Sequence, residues 1–177
     1  PETLEREVSH IERVLNESHA RNILVAEDAA QAEKIWLARR AAGPAVFRMK
    51  PDVITEDVTV PVAQFTTMMK KAVDICAKNC VTVGILAHAG DGNLHPCILF
   101  DKRDVEEFKR VETTLGEMAQ AALDIGGTLS GEHGIGIAKA PFLRLELNEA
   151  ARRVTRDLKR CFDPKGILNP GKFVEGC

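Results

Sequence analysis

Leu4, Val8, Ile11 and Leu15 recur at helical spacing and place a helix at the start of the chain. A short apolar run, Asn22 to Ala26, reads as a strand, and Asp28 then opens a second helix through Ala32, Ile35, Trp36 and Arg39 that Gly43-Pro44 ends. Residues 45–60 are rich in β-branched side chains but contain Pro51, which predicts two extended pieces. Pro61 begins a third helix through Phe65, Met69, Ala72 and Cys76. Val81–Ala87 and Leu94–Phe100 are apolar runs flanking Gly90-Asp91-Gly92-Asn93, the pattern of an antiparallel hairpin. Asp104 and Glu107 have capping-box spacing ahead of a long helix through Val105, Phe108, Leu115, Ala122 and Ile125, which Gly126-Gly127 stops. A loop carrying Gly131 to Gly136 follows, then helical residues to about Phe162 and a turn-rich tail, Asp163 to Lys172. Helices alternating with antiparallel-looking strands predict one α+β domain over 1–177, with helices on one face of a sheet. No repeat, low-complexity tract or linker interrupts it.

Composition narrows the class. The chain has 177 residues, 45% hydrophobic and 28% charged, the balance of a soluble globular domain. A formal charge of −2 gives no basic footprint, so nucleic acid is not an expected partner. No apolar stretch approaches the ~20 residues of a membrane span. The N-terminus, Pro1-Glu2-Thr3-Leu4, has neither an initiator Met nor a signal pattern and reads as a cut or processed end. Cys76, Cys80, Cys97, Cys161 and Cys177 are odd in number and scattered, which predicts free thiols in a reducing compartment, the cytoplasm, and no cysteine-held redox centre.

Chemistry concentrates in two glycine-rich loops, which hold three of the five histidines. The hairpin reads His88-Ala-Gly-Asp-Gly-Asn-Leu-His95, and the second loop carries Glu132-His133. Two neutral imidazoles and one carboxylate, His88, His95 and Glu132, can hold a divalent metal with a coordination position open, the arrangement of catalytic sites. His133 beside them is a candidate proton acceptor. The same residues admit a plainer reading, in which the histidines cap the hairpin ends and Glu132 caps the next helix. Trp36, Met49, Met68 and Met69 read as packing residues, and the charged runs 103–110 and 152–160 as solvated helix faces.

Together, HAGDGNLH at 88–95, SGEHGIG at 130–136 and FDPKGILNPGK at 162–172 resemble signatures of the FAD-linked 2-hydroxy acid oxidases and dehydrogenases. This family includes the FAD-binding subunit of glycolate oxidase, D-lactate dehydrogenases and D-2-hydroxyglutarate dehydrogenase. WLARRAA at 36–42 and DVTVP at 57–61 are also similar, so the likeness runs along the whole chain.

The resemblance implies the C-terminal substrate domain, of ferredoxin-like α+β topology, with FAD held mainly by an N-terminal domain that this chain lacks. It implies His88, His95 and Glu132 as ligands of Zn, Mn or Fe, His133 as the base, and Arg39, next to its rival Arg40, as the partner of the substrate carboxylate. Asn169 is either a flavin contact or part of a turn docking the C-terminus. Where some members carry a threonine and a lysine this chain has Gly43 and Thr55, which weakens a dicarboxylate substrate and favours glycolate or D-lactate. The expected whole is an FAD-dependent oxidoreductase, in the cytoplasm or held at a membrane periphery by further oxidase subunits. The chain alone is expected to be inactive, with a sheet edge left open where a preceding strand would pair. The competing reading is a stand-alone α+β module that binds a small molecule or metal without redox activity.

Overall fold

The computed structural model describes residues 2–172, Glu2 by its backbone alone. It divides into two compact units, Pro1–Ala42 and Gly43–Cys177. The first holds α1 (Glu2–Glu17) and most of α2 (Ala29–Phe47). Its Ile23–Ala26 segment is irregular rather than a strand, because no partner ladder is there among the described residues. It instead shares a cavity of about 270 Å³ with Val8, Ile11 and Leu15, the apolar face of α1. Trp36 is exposed on α2, not a core residue of that unit.

The second unit is built on an antiparallel sheet of β1 (Asp52–Thr55), β2 (Val58–Thr59), β3 (Thr82–His88) and β4 (Asn93–Phe100). β4 is central. One side pairs with β3 and the other with both β1 and β2, in one continuous register from Asp52↔Phe100 to Thr59↔Asn93. β1 and β2 are therefore one strand, interrupted at Glu56–Asp57. The cause lies opposite, at Pro96. Its carbonyl accepts the Glu56 N–H at 2.9 Å, but it has no N–H to return to the Glu56 carbonyl. Thr128 forms an isolated antiparallel bridge with Thr59 on the outer side of β2. With α3 (Phe65–Lys78) and α4 (Val105–Leu123) as crossovers, the spatial order is a ferredoxin-like split β-α-β with a vestigial fourth strand. The outer edge of β3 carries no partner among the described residues.

Register sorts the side chains by face, since residues directly opposite project to the same side. Val58, Leu94, Ile98 and Phe100 pack against Met68, Ala72 and Cys76 of α3 and Val111, Met118 and Ala122 of α4, all buried. His88, His95 and Asp57 belong to the opposite face. Helices do not cover only one face of the sheet: the last turn of α2 lies over β3 on the site side, where a Cβ on Gly84 would stand 2.8 Å from Val46. That packing carries α2 through Pro44 to Phe47, past the expected stop at Gly43.

α4 starts at Asp104, whose side chain accepts from the N–H groups of Glu106 and Glu107. The second half of the capping box does not form. Glu107 is buried, and its carboxylate instead accepts from Asp101 N–H at 2.8 Å and from Lys50 Nζ at 3.2 Å. A short 3₁₀ turn precedes α3 at Val62–Gln64, so Pro61 is not itself a helix start. The run expected to be helical toward Phe162 is a 3₁₀ turn, α5 (Leu143–Glu146) and α6 (Glu149–Phe162). Met68 is fully buried, whereas Met49 and Met69 are exposed. Cys76, Cys80, Cys97 and Cys161 are free thiols, and Cys177 lies outside the described residues.

The hairpin loop rests on Gly92, at φ 75°, where any Cβ would collide with the Val60 carbonyl oxygen. Gly92→Ala is expected to destabilise the fold by about 1–3 kcal/mol through left-handed strain and that clash. Urea unfolding of the two proteins measures it.

Candidate metal centre

His88 and His95 sit on adjacent strands of one hairpin, His88 opposite Asn93 and His95 opposite Leu86. Two residues along β4 is one pleat repeat, so both imidazoles project from the same face as diagonal neighbours. Their ring centroids are 5.4 Å apart, edge to face. The second loop brings Glu132 to them. Glu132 Oε1 lies 3.0 Å from His95 Nε2 and 3.6 Å from His88 Nε2. His133 stacks on His95 with centroids 4.8 Å apart and planes 13° from parallel, its Nε2 3.9 Å from Glu132 Oε1. The four residues named from the sequence thus converge on one place.

Residues at the base of this cluster carry no signature histidine. Asp57 lies across the strand from His95 and is completely buried. Its Oδ2 accepts from the Ser130 hydroxyl at 2.7 Å and from the N–H groups of Glu132 and His133 at 3.0 and 2.8 Å. Ser130 Oγ in turn accepts from Gly134 N–H at 2.7 Å. One carboxylate oxygen therefore holds the loop that carries Glu132 and His133. Lys139, also buried, donates to the carbonyls of Asp57 and Leu129 at 3.0 and 2.7 Å. Its Nζ lies 3.6 Å from Glu56 Oε2 and 3.8 Å from Asp57 Oδ2.

The two neighbouring carboxyls respond oppositely to this setting. Burial works against ionisation of Asp57, but the His133 N–H, the Ser130 hydroxyl, the Glu132 N–H and Lys139 outweigh it and hold its pKa at about 2. Burial dominates at Glu56 and pushes its pKa up, although Lys139 pulls the other way. Asp57 is the anchored anion of the pair.

The cluster is graded from dry to wet. The His95 side chain is 10% exposed, while His88, His133 and Glu132 keep 49%, 47% and 53%. A cavity of about 350 Å³ opens on that wet side, lined by Thr59, His88, Asp91, Asn93, Gly131 and Glu132. A Cβ on Gly131 would stand 2.1 Å from the Thr59 hydroxyl, which would have to turn away. Ligand atoms of Asp57, His95, Glu132 and His133 also lie within 4.8 Å of one another.

Arg39 and Asn169 are the remaining expected site residues. Arg39 is exposed on α2 within the Pro1–Ala42 unit, a different compact unit from the histidines. Arg40 beside it is ion-paired with Glu33. Asn169 is exposed in a tail turn at φ 50°, and its side chain accepts from Lys172 Nζ at 3.3 Å. That tail is fastened by Asp163, which accepts from the N–H groups of Ile167 and Leu168.

Asp57 and Ser130 lie in the segments DVTVP and SGEHGIG but were not singled out as site residues, and Lys139 was not noticed. The available signals were an acidic pair, Glu56-Asp57, inside a β-branched run, and a lone lysine inside the apolar segment Ile137-Ala-Lys-Ala-Pro-Phe142. Each is the mark of a buried, compensated charge.

The family described as FAD linked oxidases, C-terminal domain, matches residues 1–173. The chain belongs to this family. It is 41% identical over 172 residues to the glycolate oxidase subunit GlcD of Bacillus subtilis, covering 97% of this chain and 37% of that protein. It is 33% identical over 175 residues to a probable mitochondrial D-lactate dehydrogenase of Danio rerio, covering 98% and 35%. For the mitochondrial D-lactate dehydrogenase [cytochrome] of Arabidopsis thaliana the values are 32% over 169 residues, 93% and 29%. The chain thus spans about a third of the length of these relatives. No helix among the described residues is long and apolar enough to cross a membrane.

Replacing Lys139 by Met would leave Glu56 and Asp57 buried without their cation. A loss of about 3–5 kcal/mol is expected from breaking a buried charge network on one side. Equilibrium unfolding in urea at neutral pH checks it.

Proposed function

We propose that this domain binds substrate and metal for an FAD-dependent oxidoreductase that converts a small 2-hydroxy acid, glycolate or D-lactate, to the 2-oxo acid. The observation that carries this reading is the convergence of His88 Nε2 and His95 Nε2 on one oxygen of Glu132, at 3.6 and 3.0 Å. Ligand atoms each about 2.0–2.2 Å from one ion stand roughly 3–3.6 Å from one another, and the separations of Glu132 from each imidazole match that spacing. Two imidazoles with a carboxylate suit zinc, manganese or iron. The half-exposed side, with its 350 Å³ cavity, leaves room for a substrate oxygen.

A divalent ion held there supplies Lewis acidity toward the substrate hydroxyl, and the flavin of a partner FAD domain supplies hydride acceptance. The residues of this chain do the rest. His133 Nε2, on the side facing Glu132, receives the hydroxyl proton, since a neutral imidazole is a competent base near pH 7. Asp57 fixes the backbone on which His133 rides. Arg39 is the proposed clamp for the substrate carboxylate through two parallel N–H···O bonds. Asn169, in the tail turn, is the proposed contact to the flavin.

The preference for a small acid has support at position 55. Thr55 pairs with Cys97 on the face that carries His95, and its hydroxyl is spent on the Cys97 sulfur at 3.9 Å. A threonine there lacks the reach and charge to hold a second carboxylate. The relatives named for glycolate and D-lactate favour the same substrates. Association with an N-terminal FAD domain, and with further oxidase subunits in the cytoplasm or at a membrane surface, belongs to the same reading.

In the full natural protein, His133→Ala is expected to keep its metal and lose about 10²–10⁴-fold in turnover of glycolate or D-lactate. The His88→Ala, His95→Ala double variant is expected to lose both metal and turnover. Metal analysis beside steady-state kinetics separates the two roles. Wild-type metal content in the double variant would remove the ligand assignment, and unchanged turnover in His133→Ala would remove the base.

A further inference from the structure

We propose that Asp57 is a positioning residue for the ion site, holding Glu132 and His133 with one carboxylate oxygen and facing His95 with the other. The inference rests on the reading of His88, His95 and Glu132 as metal ligands. Its first support is the three donors gathered by Oδ2, two of them the backbone N–H groups of Glu132 and His133 themselves. Its second is the other oxygen. Asp57 Oδ1 is buried, has no hydrogen-bond partner, and lies 3.8 Å from His95 Nδ1. A buried carboxylate oxygen without a donor is costly and needs a reason.

His95 Nδ1 supplies that reason. The same nitrogen lies 3.3 Å from the Glu56 carbonyl oxygen, the acceptor left over because Pro96 opposite has no N–H. Two acceptors, one neutral and one anionic, therefore face Nδ1, while Glu132 faces Nε2. This arrangement favours the tautomer with the proton on Nδ1 and leaves the Nε2 lone pair for an ion. Asp57 itself is not a ligand of that ion. It faces the wrong nitrogen of His95, and Lys139 Nζ already lies 3.8 Å from its Oδ2. A second cation in that dry corner would stand against the lysine charge.

The test uses the full natural protein, stripped of metal and titrated with Co(II), as wild type, Asp57→Asn and Glu132→Gln. Asp57→Asn is expected to bind Co(II) about 10–100-fold more weakly, with a changed visible d–d absorption, because both ligand groups lose their fixed orientation. A purely structural role would lower the unfolding temperature and leave the folded fraction's affinity and band shape alone. Wild-type affinity and spectrum in Asp57→Asn, with binding weakened in Glu132→Gln, would overturn the role of Asp57 and leave the ligand set standing. Undiminished binding in Glu132→Gln would overturn the ligand set and this inference with it. Should Asp57→Asn fail to accumulate folded, wild type answers alone. With ¹⁵N-labelled histidine and ¹¹³Cd bound, cadmium coupling is expected at His95 Nε2 beside a protonated Nδ1. Coupling at Nδ1 would overturn the proposal.

Discussion

The buried carboxylate of Asp57 joins two parts of the chain that local structure alone would leave independent. It sits in the gap between β1 and β2 and gathers Ser130, Glu132 and His133 from a loop more than seventy residues away. Taking an anion out of water costs several kcal/mol unless donors replace the lost hydration. Here the replacement donors are the backbone of the loop that must be positioned, with Lys139 completing the charge balance from below. The loop cannot drift without exposing an uncompensated charge. A glycine-rich segment, intrinsically floppy, is thereby given one low-energy arrangement.

The interruption that admits this carboxylate comes from Pro96. A central strand is an unusual place for proline, because the ladder loses a donor there. In this sheet the loss is put to use. The Glu56 carbonyl, left without its cross-strand N–H, turns its lone pair toward His95 Nδ1. Missing donor, strand break, buried acid and oriented imidazole form one causal chain, and each step follows from the register of β4 against β1 and β2.

Whatever depends on neighbours in sequence was legible before any coordinates. The hairpin, its two histidines on one face, and the start of α4 at Asp104 follow from period-two alternation, turn residues and capping chemistry. Long-range effects were not. Pro96 breaks a strand forty residues earlier, and Pro51 does not. Val46 against Gly84 draws α2 through Pro44, and Asp101 with Lys50 takes Glu107 away from the capping box. The Ile23–Ala26 run has strand composition but no ladder among the described residues, so composition alone misassigned it. At the site, the motifs disclosed the histidines and Glu132, while the roles of Asp57, Ser130 and Lys139 stayed hidden because they depend on contacts between segments more than seventy residues apart.

The grading of the cluster from dry to wet explains why its residues divide as they do between sheet and loop. His95 is on β4 and Asp57 in the break between β1 and β2, where flanking ladders leave little freedom and water is excluded. Electrostatic orientation is strongest there, since the local dielectric is low. Glu132 and His133 are on the loop at the wet rim, where a substrate and a proton can enter and leave. A site built wholly on the sheet would be rigid but closed, and one built wholly on the loop open but imprecise. Tying the loop's backbone, rather than its side chains, to Asp57 keeps Glu132 Oε1 and the His133 ring available for chemistry while fixing where they stand.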